Sequence, residues 1–451
     1  MKKTEQKIST LKEWLDKPNE LSLHPSEVAY LLKKIHKKTP EQCFVFLKQI
    51  PKDDLGEVLL ELPERIKDEA LVKLSIKDLV NAVENMDSDD ATDLINDIEE
   101  ISEIKSNEIV TTLDLEHQKD ITELKKYEEN QAGAYMQTEL LSATVDETLA
   151  QAIERLRTLK KSGDIEDVYQ LFIVDQNNIL LGGIGMADLI LYENINDKLG
   201  AIFNSQEMEL HSVNALDHIE DVARLVEQYD YSVVPVIDWQ GKLLGQITAD
   251  DIYDLLEEIA TDQIYQMAGV DDEIEADDDL KEIIKNRASW LGINLITAIV
   301  ASIVIGMFDE ILQAFIPLAI LMPIVASMGG NAGTQTLTVM VRQIALGEIE
   351  FENAKEAITK ELIVSLVNGI IFATLIGIIA YFWFKIPLLG VVIALAMLIN
   401  LLGAGFFGAI IPLILKRLEI DPAIASTVLL TTATDVIGFL GFLGLAKIIL
   451  L

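Results

Sequence analysis

The sequence predicts a multidomain membrane protein, with an all-α amino-terminal domain, an α/β tandem repeat, an acidic connecting helix and a five-helix transmembrane domain. Three observations lead to this fold class. Charge is segregated along the chain, because residues 1–286 hold 63 of the 73 acids and 28 of the 36 bases. The middle of the chain contains an internal repeat, and the last third contains five long apolar segments. The predicted domain boundaries are 1–130, 131–262, 263–288 and 289–451.

Composition excludes several classes of protein. A formal net charge of −37 is unsuited to nucleic-acid binding, because neutralising phosphates takes Lys and Arg. The single cysteine, Cys43, excludes a disulfide framework. The sequence has no phosphate-binding loop, nucleophile elbow or zinc-binding His-Glu helix, so no enzyme is predicted. The opening segment MKKTEQKISTLKEWLD lacks an apolar core, so we expect no cleavable signal.

The amino-terminal region, 1–130, has helical periodicity and almost no strand pattern. Pro40, Pro51 and Pro63 separate short helices, and the segment LVNAVENMDSDDATDLINDIEEI has acids on one face and apolar residues on the other. We therefore predict a small helical domain with an acidic surface.

Residues 131–257 contain two related units. The segment YQLFIVDQNNILLGGIGMADLI matches YSVVPVIDWQGKLLGQITADDI, which places Asp175 opposite Asp238 and Gly182 opposite Gly245, each pair 63 residues apart. Each unit reads as a helix, two short strands around a turn, and a second helix, and such repeats pack on each other. The pair resembles tandem CBS domains, which are regulatory modules.

The second unit contains GQITADD at 245–251, similar to the adenosine-binding signature of CBS domains, in which a hydroxyl and a carboxylate meet the ribose. The resemblance implies that ATP or another adenine nucleotide binds at Thr248 and Asp251. The first unit has Gly185 at the hydroxyl position, which argues against a nucleotide site there. The alternative is a strand-to-helix turn with a capping Asp.

The region after the repeat is strongly acidic, with 13 acids and one base between Asp251 and Glu282. Like charges at helical spacing repel each other unless they are screened or bridged. Either this helix is simply solvated, or divalent cations bridge it to acids of the helical domain. The second alternative predicts a cation sensor whose domains separate when cations are removed, with the helix from Leu280 into Trp290 transmitting the change. The acids concerned are Asp251, Asp254, Glu258 and Asp262 on one side and Asp89, Asp93 and Asp97 on the other.

The last part of the chain is predicted to cross a membrane five times. Each segment has the length of about 20 helical residues that a hydrocarbon core requires. Lys and Arg are concentrated in loops on one side, which places the amino terminus in the cytosol and the carboxyl terminus outside. The predicted spans are Trp290–Phe308, Ile311–Leu346, Leu362–Phe384, Pro387–Leu415 and Pro422–Leu451.

Asp435 is the one acid deep within these apolar segments. A carboxylate at that depth is costly unless it faces water, a cation or a partner, and no base lies mid-span to pair with it. Thr431, Thr432 and Thr434 surround it with hydroxyls. We expect a cation site in a water-filled path; the alternative is a protonated, hydrogen-bonded structural Asp.

The second span supports a cation path, because MGGNAGTQT interrupts it. Its glycines allow either a helix break or close backbone approach. The alternative to a cation path is that these small residues only form a helix-packing face. Oxygen ligands without His or Cys favour a hard cation, and a single carboxylate favours Mg²⁺, which keeps inner waters. Asp421 either draws cations in at the cytosolic mouth or serves as a favourable acid at a helix start. The polar and small residues are Gly329, Gly330, Asn331, Gly333, Thr334, Gln335, Thr336 and Thr338.

Taken together, the segments resemble the MgtE family of magnesium channels and transporters over essentially the whole chain. The specific motifs are MPIVASMGGNAGTQTLTVMVRQIALGEI and DPAIASTVLLTTATDVIGF. The resemblance implies a homodimer with a shared pore in the cell membrane, Mg²⁺ uptake, and closure when Mg²⁺ bridges the cytosolic domains. It implies Asp435 as the pore carboxylate, with Thr431 one turn before it and Asp421 at the mouth. The implied regulatory acids are Glu220, Glu227, Asp230, Asp251, Asp254 and Asp262.

The chain departs from the family pattern at EEIATDQI, where Ile259 and Gln263 replace acids, so we expect fewer or weaker regulatory ions. Two other functions stay open on the residues alone. One is an ion-gradient-coupled carrier of divalent cations, since carriers also contain broken helices. The other is a membrane-tethered nucleotide sensor, against which the intramembrane Asp435 argues.

Overall fold

The structure is a computed structural model that describes residues 2–16, 23–163, 165, 167–203, 210–270, 280–349, 353–418 and 420–451. The chain divides into two compact units, Met1–Glu257 and Glu258–Leu451. The first unit contains the helical region and the tandem repeat, and the second contains the long apolar helices.

The amino-terminal region is all-α in the residues that the structure describes, as predicted. Pro40 begins one helix, and Pro51 and Pro63 immediately precede two others. Leu32, Leu59 and other apolar side chains are fully buried in one core, each contributing roughly 1.5–3 kcal/mol. The helices are α1 (Lys2–Asp16), α2 (Pro25–His36), α3 (Pro40–Leu47), α4 (Lys52–Leu60), α5 (Glu64–Lys73), α6 (Ile76–Val83), α7 (Ser88–Ile101), α8 (Glu103–Thr112) and α9 (Leu115–Leu124).

The tandem repeat forms two three-stranded sheets with the same topology. In each sheet the first strand pairs parallel with the second, and the second pairs antiparallel with the third. The elements are a 3₁₀ turn (Ala132–Ala134), β1 (Ser142–Thr144), α10 (Leu149–Ser162), β2 (Gln170–Val174), β3 (Leu180–Gly185), α11 (Met186–Leu191), α12 (Leu199–Phe203), β4 (Val213–Asn214), α13 (Ile219–Tyr229), β5 (Val233–Ile237), β6 (Leu243–Thr248) and α14 (Ala249–Met267).

The matched aspartates have the same structural role in both copies. The Asp175 carboxylate accepts hydrogen bonds from the backbone N–H groups of Asn177 and Ile179, at 2.7 and 2.8 Å. The Asp238 carboxylate does the same for Gln240 and Lys242, at 2.8 and 2.9 Å. The 63-residue repeat is therefore a repeat of turn geometry as well as of sequence.

Within its described residues, the second unit contains five helices long and apolar enough to cross a membrane, as predicted. The second of them is shorter than predicted, because a separate short helix precedes it. The connecting helix, expected over 263–288, lies partly outside the described residues, since 271–279 are not described. α19 is the central helix and packs against three others, α17, α18 and α20. The helices are α15 (Leu280–Gly306), α16 (Asp309–Ala314), α17 (Ile316–Ala345), α18 (Ala354–Phe384), α19 (Pro387–Arg417) and α20 (Pro422–Leu450).

Candidate ion path and acidic regulatory face

α20 presents hydroxyls and one carboxylate along a single face. Thr427, Thr431 and Asp435 follow each other at intervals of four residues, which places them one turn apart on the same side. Thr431 is exposed on the surface of the chain and Asp435 is half-buried. The Thr431 hydroxyl donates to the Thr427 carbonyl at 2.8 Å, so its oxygen lone pairs remain available on that face.

α17 carries a second polar stripe. The hydroxyls of Thr334 and Thr338 donate to carbonyls one turn earlier, both at 2.9 Å, and the Asn331 amide lies 3.5 Å from the Ser327 hydroxyl. These side chains are exposed on the surface of a helix that is otherwise apolar. The exposed residues of the stripe are Ser327, Asn331, Thr334, Gln335 and Thr338.

The glycines of α17 serve close packing rather than a break, because the helix is continuous from Ile316 to Ala345. A Cβ at Gly329 would lie 2.3 Å from the Asn400 amide nitrogen, and one at Gly333 would lie 2.9 Å from Leu430. At Gly330 the space within 4 Å is empty, which leaves the backbone open beside the polar stripe. Of the two alternatives open from sequence, close approach is the one adopted.

Three polar residues of the helix bundle were not among those predicted from sequence. Ser327 continues the α17 stripe by one turn. Asn400 is fully buried in α19, and Glu361 of α18 accepts a hydrogen bond from the buried Thr336 hydroxyl at 3.0 Å. A signal for Asn400 was present, since it is the one strongly polar side chain between Pro387 and Pro412.

The end of α14 contacts the amino-terminal end of α20. The Thr427 hydroxyl donates to the Met267 carbonyl, and the Met267 side chain packs against a cluster that joins α17, α19 and α20. Asp421 is exposed just before α20 begins. The cluster comprises Leu337, Val341, Leu430, Phe407 and Ile411.

Acids of α7 and α14 converge within the first unit. Burial and the Asp251 carboxylate raise the pKa of Asp89 well above 3.8, and raise that of Asp90 to about 7. Burial raises the pKa of Asp251 to about 6, helped by Asp250 and opposed by the Thr248 hydroxyl. Asp93 lines an adjoining cleft, where burial and then Asp97 raise its pKa to about 6. Such mutually repelling carboxylates have the donor chemistry of a hard-cation site.

The structure brings together some of the predicted regulatory acids and not others. Asp89, Asp93 and Asp251 lie close enough to interact electrostatically, and so does Asp90, which was not among the acids predicted from sequence. Asp97 instead pairs with Lys67 at 2.6 Å. Asp254 is exposed one turn beyond Asp251. Among the described residues, no three acidic, imidazole or thiol side chains form a ready-made metal cage. Glu220, Glu227, Asp230 and Glu258 are exposed, and Asp262 is half-exposed on α14.

A cation-independent contact holds the same two regions together. The Glu139 carboxylate accepts hydrogen bonds from the backbone and hydroxyl of Ser88, at 3.2 and 2.8 Å, at the start of α7. The Thr138 backbone N–H donates to the Ser88 hydroxyl at 2.8 Å. An anion at a helix amino terminus is electrostatically favourable, so Glu139 attaches α7 to the repeat without a metal.

The two side chains predicted to bind a nucleotide, Thr248 and Asp251, already contact each other. The Thr248 hydroxyl donates to the Asp251 carboxylate at 2.7 Å, and Thr248 is buried. The first copy has Gly185 and Asp188 at the corresponding positions, without a hydroxyl. Because Asp251 also faces the α7 acids, one carboxylate would serve both candidate sites.

Comparison with known proteins identifies the family. Family models match as the MgtE divalent cation transporter over 322–445, the MgtE intracellular N domain over 23–130, and CBS domains over 132–194 and 206–258. The magnesium transporter MgtE of Enterococcus faecalis is 34% identical over 329 residues, which cover 73% of this chain and 71% of that protein. The chain belongs to the MgtE family. The predicted family, fold class and magnesium transport are thereby confirmed.

Other members extend the match over nearly the whole chain. The MgtE of Thermus thermophilus is 29% identical over 431 residues, covering 95% of this chain and 93% of that protein. The MgtE of Bacillus subtilis is 28% identical over 424 residues, with 94% and 91% covered. A crystal structure of the cytosolic domain of the Mg²⁺ channel MgtE in complex with ATP is 28% identical, has a TM-score of 0.48, and covers 55% of this chain and 94% of that one. This MgtE family member is a multi-pass membrane protein with Mg²⁺ as its substrate, and the three MgtE relatives named above are magnesium transporters.

Proposed function

We propose that this MgtE family member is a channel that admits Mg²⁺ to the cytosol between α17 and α20. The observation that carries the proposal is the position of Asp435, half-buried on the polar face of α20 that also bears Thr431. An ionisable group in a membrane span marks a functional site by default, and ion pathways are among the sites that such groups form. The hydroxyl and amide stripe of α17 supplies further oxygen ligands for the waters of a hydrated ion.

Helix continuity favours a channel over a coupled carrier. Carriers typically build their ion sites from discontinuous helices, with unwound carbonyls as ligands. Both α17 and α20 run without interruption through their polar faces. Their path residues offer side-chain oxygens along the helix instead of one enclosed site.

A homodimer accounts for the exposure of the path. Asn331, Thr334 and Thr431 are exposed on the surface of one chain, where lipid is an unfavourable neighbour for polar groups. A second copy placed against this surface would enclose the polar residues in a shared, wet path. Outward-facing apolar residues of the other helices would contact lipid.

The charge distribution supports import. Lys and Arg are concentrated in the loops on one side, which supports a cytosolic amino terminus and an external carboxyl terminus. A membrane potential of 100 mV, negative inside, contributes about 4.6 kcal/mol to the entry of two charges, from about 2.3 kcal/mol per charge. Asp421 would attract cations at the cytosolic mouth.

We further propose that cytosolic Mg²⁺ closes the channel by binding the converging acids. Asp89, Asp90 and Asp251 repel one another when ionised, and a divalent cation between them would remove the repulsion. Thr248 and Asp251, which are already hydrogen-bonded to each other in the second CBS domain, would hold the ribose of an adenine nucleotide. Nucleotide and regulatory ion would then influence each other through Asp251.

The test of the path is Asp435→Asn, with Glu310→Gln as a control acid at the start of α16. We expect the Asp435 variant to lose Mg²⁺ flux in liposomes at least tenfold and the control to match the parent. Discrete single-channel currents from the parent distinguish a channel from a carrier. Unchanged flux in folded Asp435→Asn protein would refute the path.

A further inference from the structure

Asn400 is a buried carboxamide in the centre of the apolar bundle. It lies midway along α19, is fully inaccessible to solvent, and packs between α17 and α20. Its amide nitrogen donates to the Val325 carbonyl of α17 at 2.7 Å. The side chain therefore ties the central helix directly to the backbone of a proposed path helix.

Two glycines make room for this side chain. A Cβ at Gly329 of α17 would lie 2.3 Å from the Asn400 amide nitrogen, and a Cβ at Gly438 of α20 would lie 2.8 Å from the same atom. Both distances are shorter than real Cβ contacts permit. The two helices can therefore approach Asn400 as they do only because both positions lack a side chain.

The carboxamide is a poor choice for stability alone. Among the described residues, no donor lies within hydrogen-bond distance of its Oδ1 atom, which is buried. A buried acceptor without a partner carries the full cost of its desolvation, which an apolar side chain of similar shape avoids. The side chain thus costs stability where it lies, which points to a role other than holding the bundle together.

The location of Asn400 indicates that role. Gly329 directly precedes Gly330 and lies two residues before Asn331, and Gly438 lies one turn after Asp435. Asn400 thus contacts α17 and α20 on their buried faces, close along each helix to the path residues on the other face. We propose that Asn400 is a positioning residue that sets the separation of α17 and α20, and so the selectivity of the path for Mg²⁺. This inference rests on the proposed path between those helices.

The test compares Asn400→Leu and Asn400→Ala with Ser365→Ala, a control that alters another buried polar side chain, at Gly405 on the α18 side of α19. Each purified full-length variant is reconstituted in liposomes, and Mg²⁺ flux, the ratio of Mg²⁺ to Ca²⁺ flux, and the melting temperature in detergent are measured. We expect Asn400→Leu to melt at or above the parental temperature while its flux ratio falls at least fivefold. The control should keep the parental ratio.

A second comparison distinguishes a positioning role of Asn400 from misfolding of the variants. Gly329→Ala should reduce flux because its methyl displaces the amide, and the same change in an Asn400→Ala background should cost little further, because the obstructing amide is gone. Parental flux and selectivity in both Asn400 variants would overturn the proposal, as would losses that follow the amount of folded protein. Loss of flux in Asp435→Asn with neutral Asn400 variants would leave the path standing and refute only the positioning role. Unchanged flux in Asp435→Asn would refute the path itself.

Discussion

The Thr427 hydroxyl donates a hydrogen bond to the main-chain carbonyl of Met267, with 3.0 Å between the two oxygens. Met267 is the last residue of α14, and Thr427 lies two turns before Asp435 on the same face of α20. α14, which contains Asp251 near its start, therefore ends against α20, the helix that carries the proposed pore carboxylate Asp435. We propose this contact as a route from the proposed sensor to the proposed path, in addition to α15, the helix expected from sequence to transmit the change.

Removing this hydrogen bond should weaken closure. Thr427→Val retains the shape of the side chain but has no donor, and a net hydrogen bond is worth about 0.5–1.5 kcal/mol. We expect the Mg²⁺ concentration that half-closes the channel to rise about two- to tenfold. Mg²⁺-dependent inhibition of currents measures this shift. Thr432→Val is the matched control, since its hydroxyl bonds only to Val428 within α20; an equal shift in both variants would argue against coupling through Met267.

The Ser88–Glu139 contact should set how readily the helical domain packs against the tandem repeat. The state in which the two are packed together is called the docked state below. Ser88→Ala removes the hydroxyl that donates to Glu139 at 2.8 Å and accepts from the Thr138 backbone. We expect about two- to tenfold more Mg²⁺ to be needed for docking, since each hydrogen bond is worth about 0.5–1.5 kcal/mol. Limited proteolysis of the full-length protein between residues 126 and 138 reports docking. Thr122→Ala, in which an exposed hydroxyl bonds only within its own helix, should leave the midpoint unchanged.

Docking without cations should depend on pH. In the docked state, burial and then the Asp251 carboxylate raise the pKa of Asp90 to about 7, and burial, with Asp251 as a smaller cause, raises that of Asp93 to about 6. Separating α7 from α14 would remove the contribution of Asp251 and so lower both pKa values. Up to about pH 7 the docked state therefore binds more protons than the separated state, so docking is favoured at low pH and weakens as pH rises through about 7. In the presence of a chelator, we expect protection from proteolysis at pH 5.5 and its loss at pH 8. Equal protection at both values would show that these carboxyl groups do not oppose docking.

Neutralising Asp251, the carboxylate common to the two candidate sites, should make docking independent of Mg²⁺. Asp251→Asn keeps the side-chain shape and removes the charge that raises the pKa of both Asp89 and Asp90. We expect the variant to stay protected from proteolysis in chelator at pH 8 and to conduct at least fivefold less Mg²⁺ at low cytosolic Mg²⁺. Glu154→Gln, in an exposed ion pair with Arg157, should behave as the parent. A variant that separates in chelator as readily as the parent would contradict this role of Asp251.

Much of the architecture followed from local patterns. The repeat was visible because Asp175 and Asp238 occupy the same turn, in which each must cap two backbone N–H groups. The five spans were visible because a hydrocarbon core demands long apolar runs. The sequence left open whether the glycines of α17 break the helix or allow close packing, since glycine is suited to both, and only the neighbouring Asn400 decides between them.

Sequence alone determined that an acidic α/β and helical part precedes five membrane spans, and that one carboxylate lies deep among them, because both follow from the residues of each segment. Only the tertiary structure decided which polar groups meet. Spans that are apolar on all sides carry little directional pattern, so the exposed face of α17 and the place of Asn400 depend on helix packing. The meeting of Asp90 with Asp251 joins residues 161 positions apart, and no local pattern records so distant a contact.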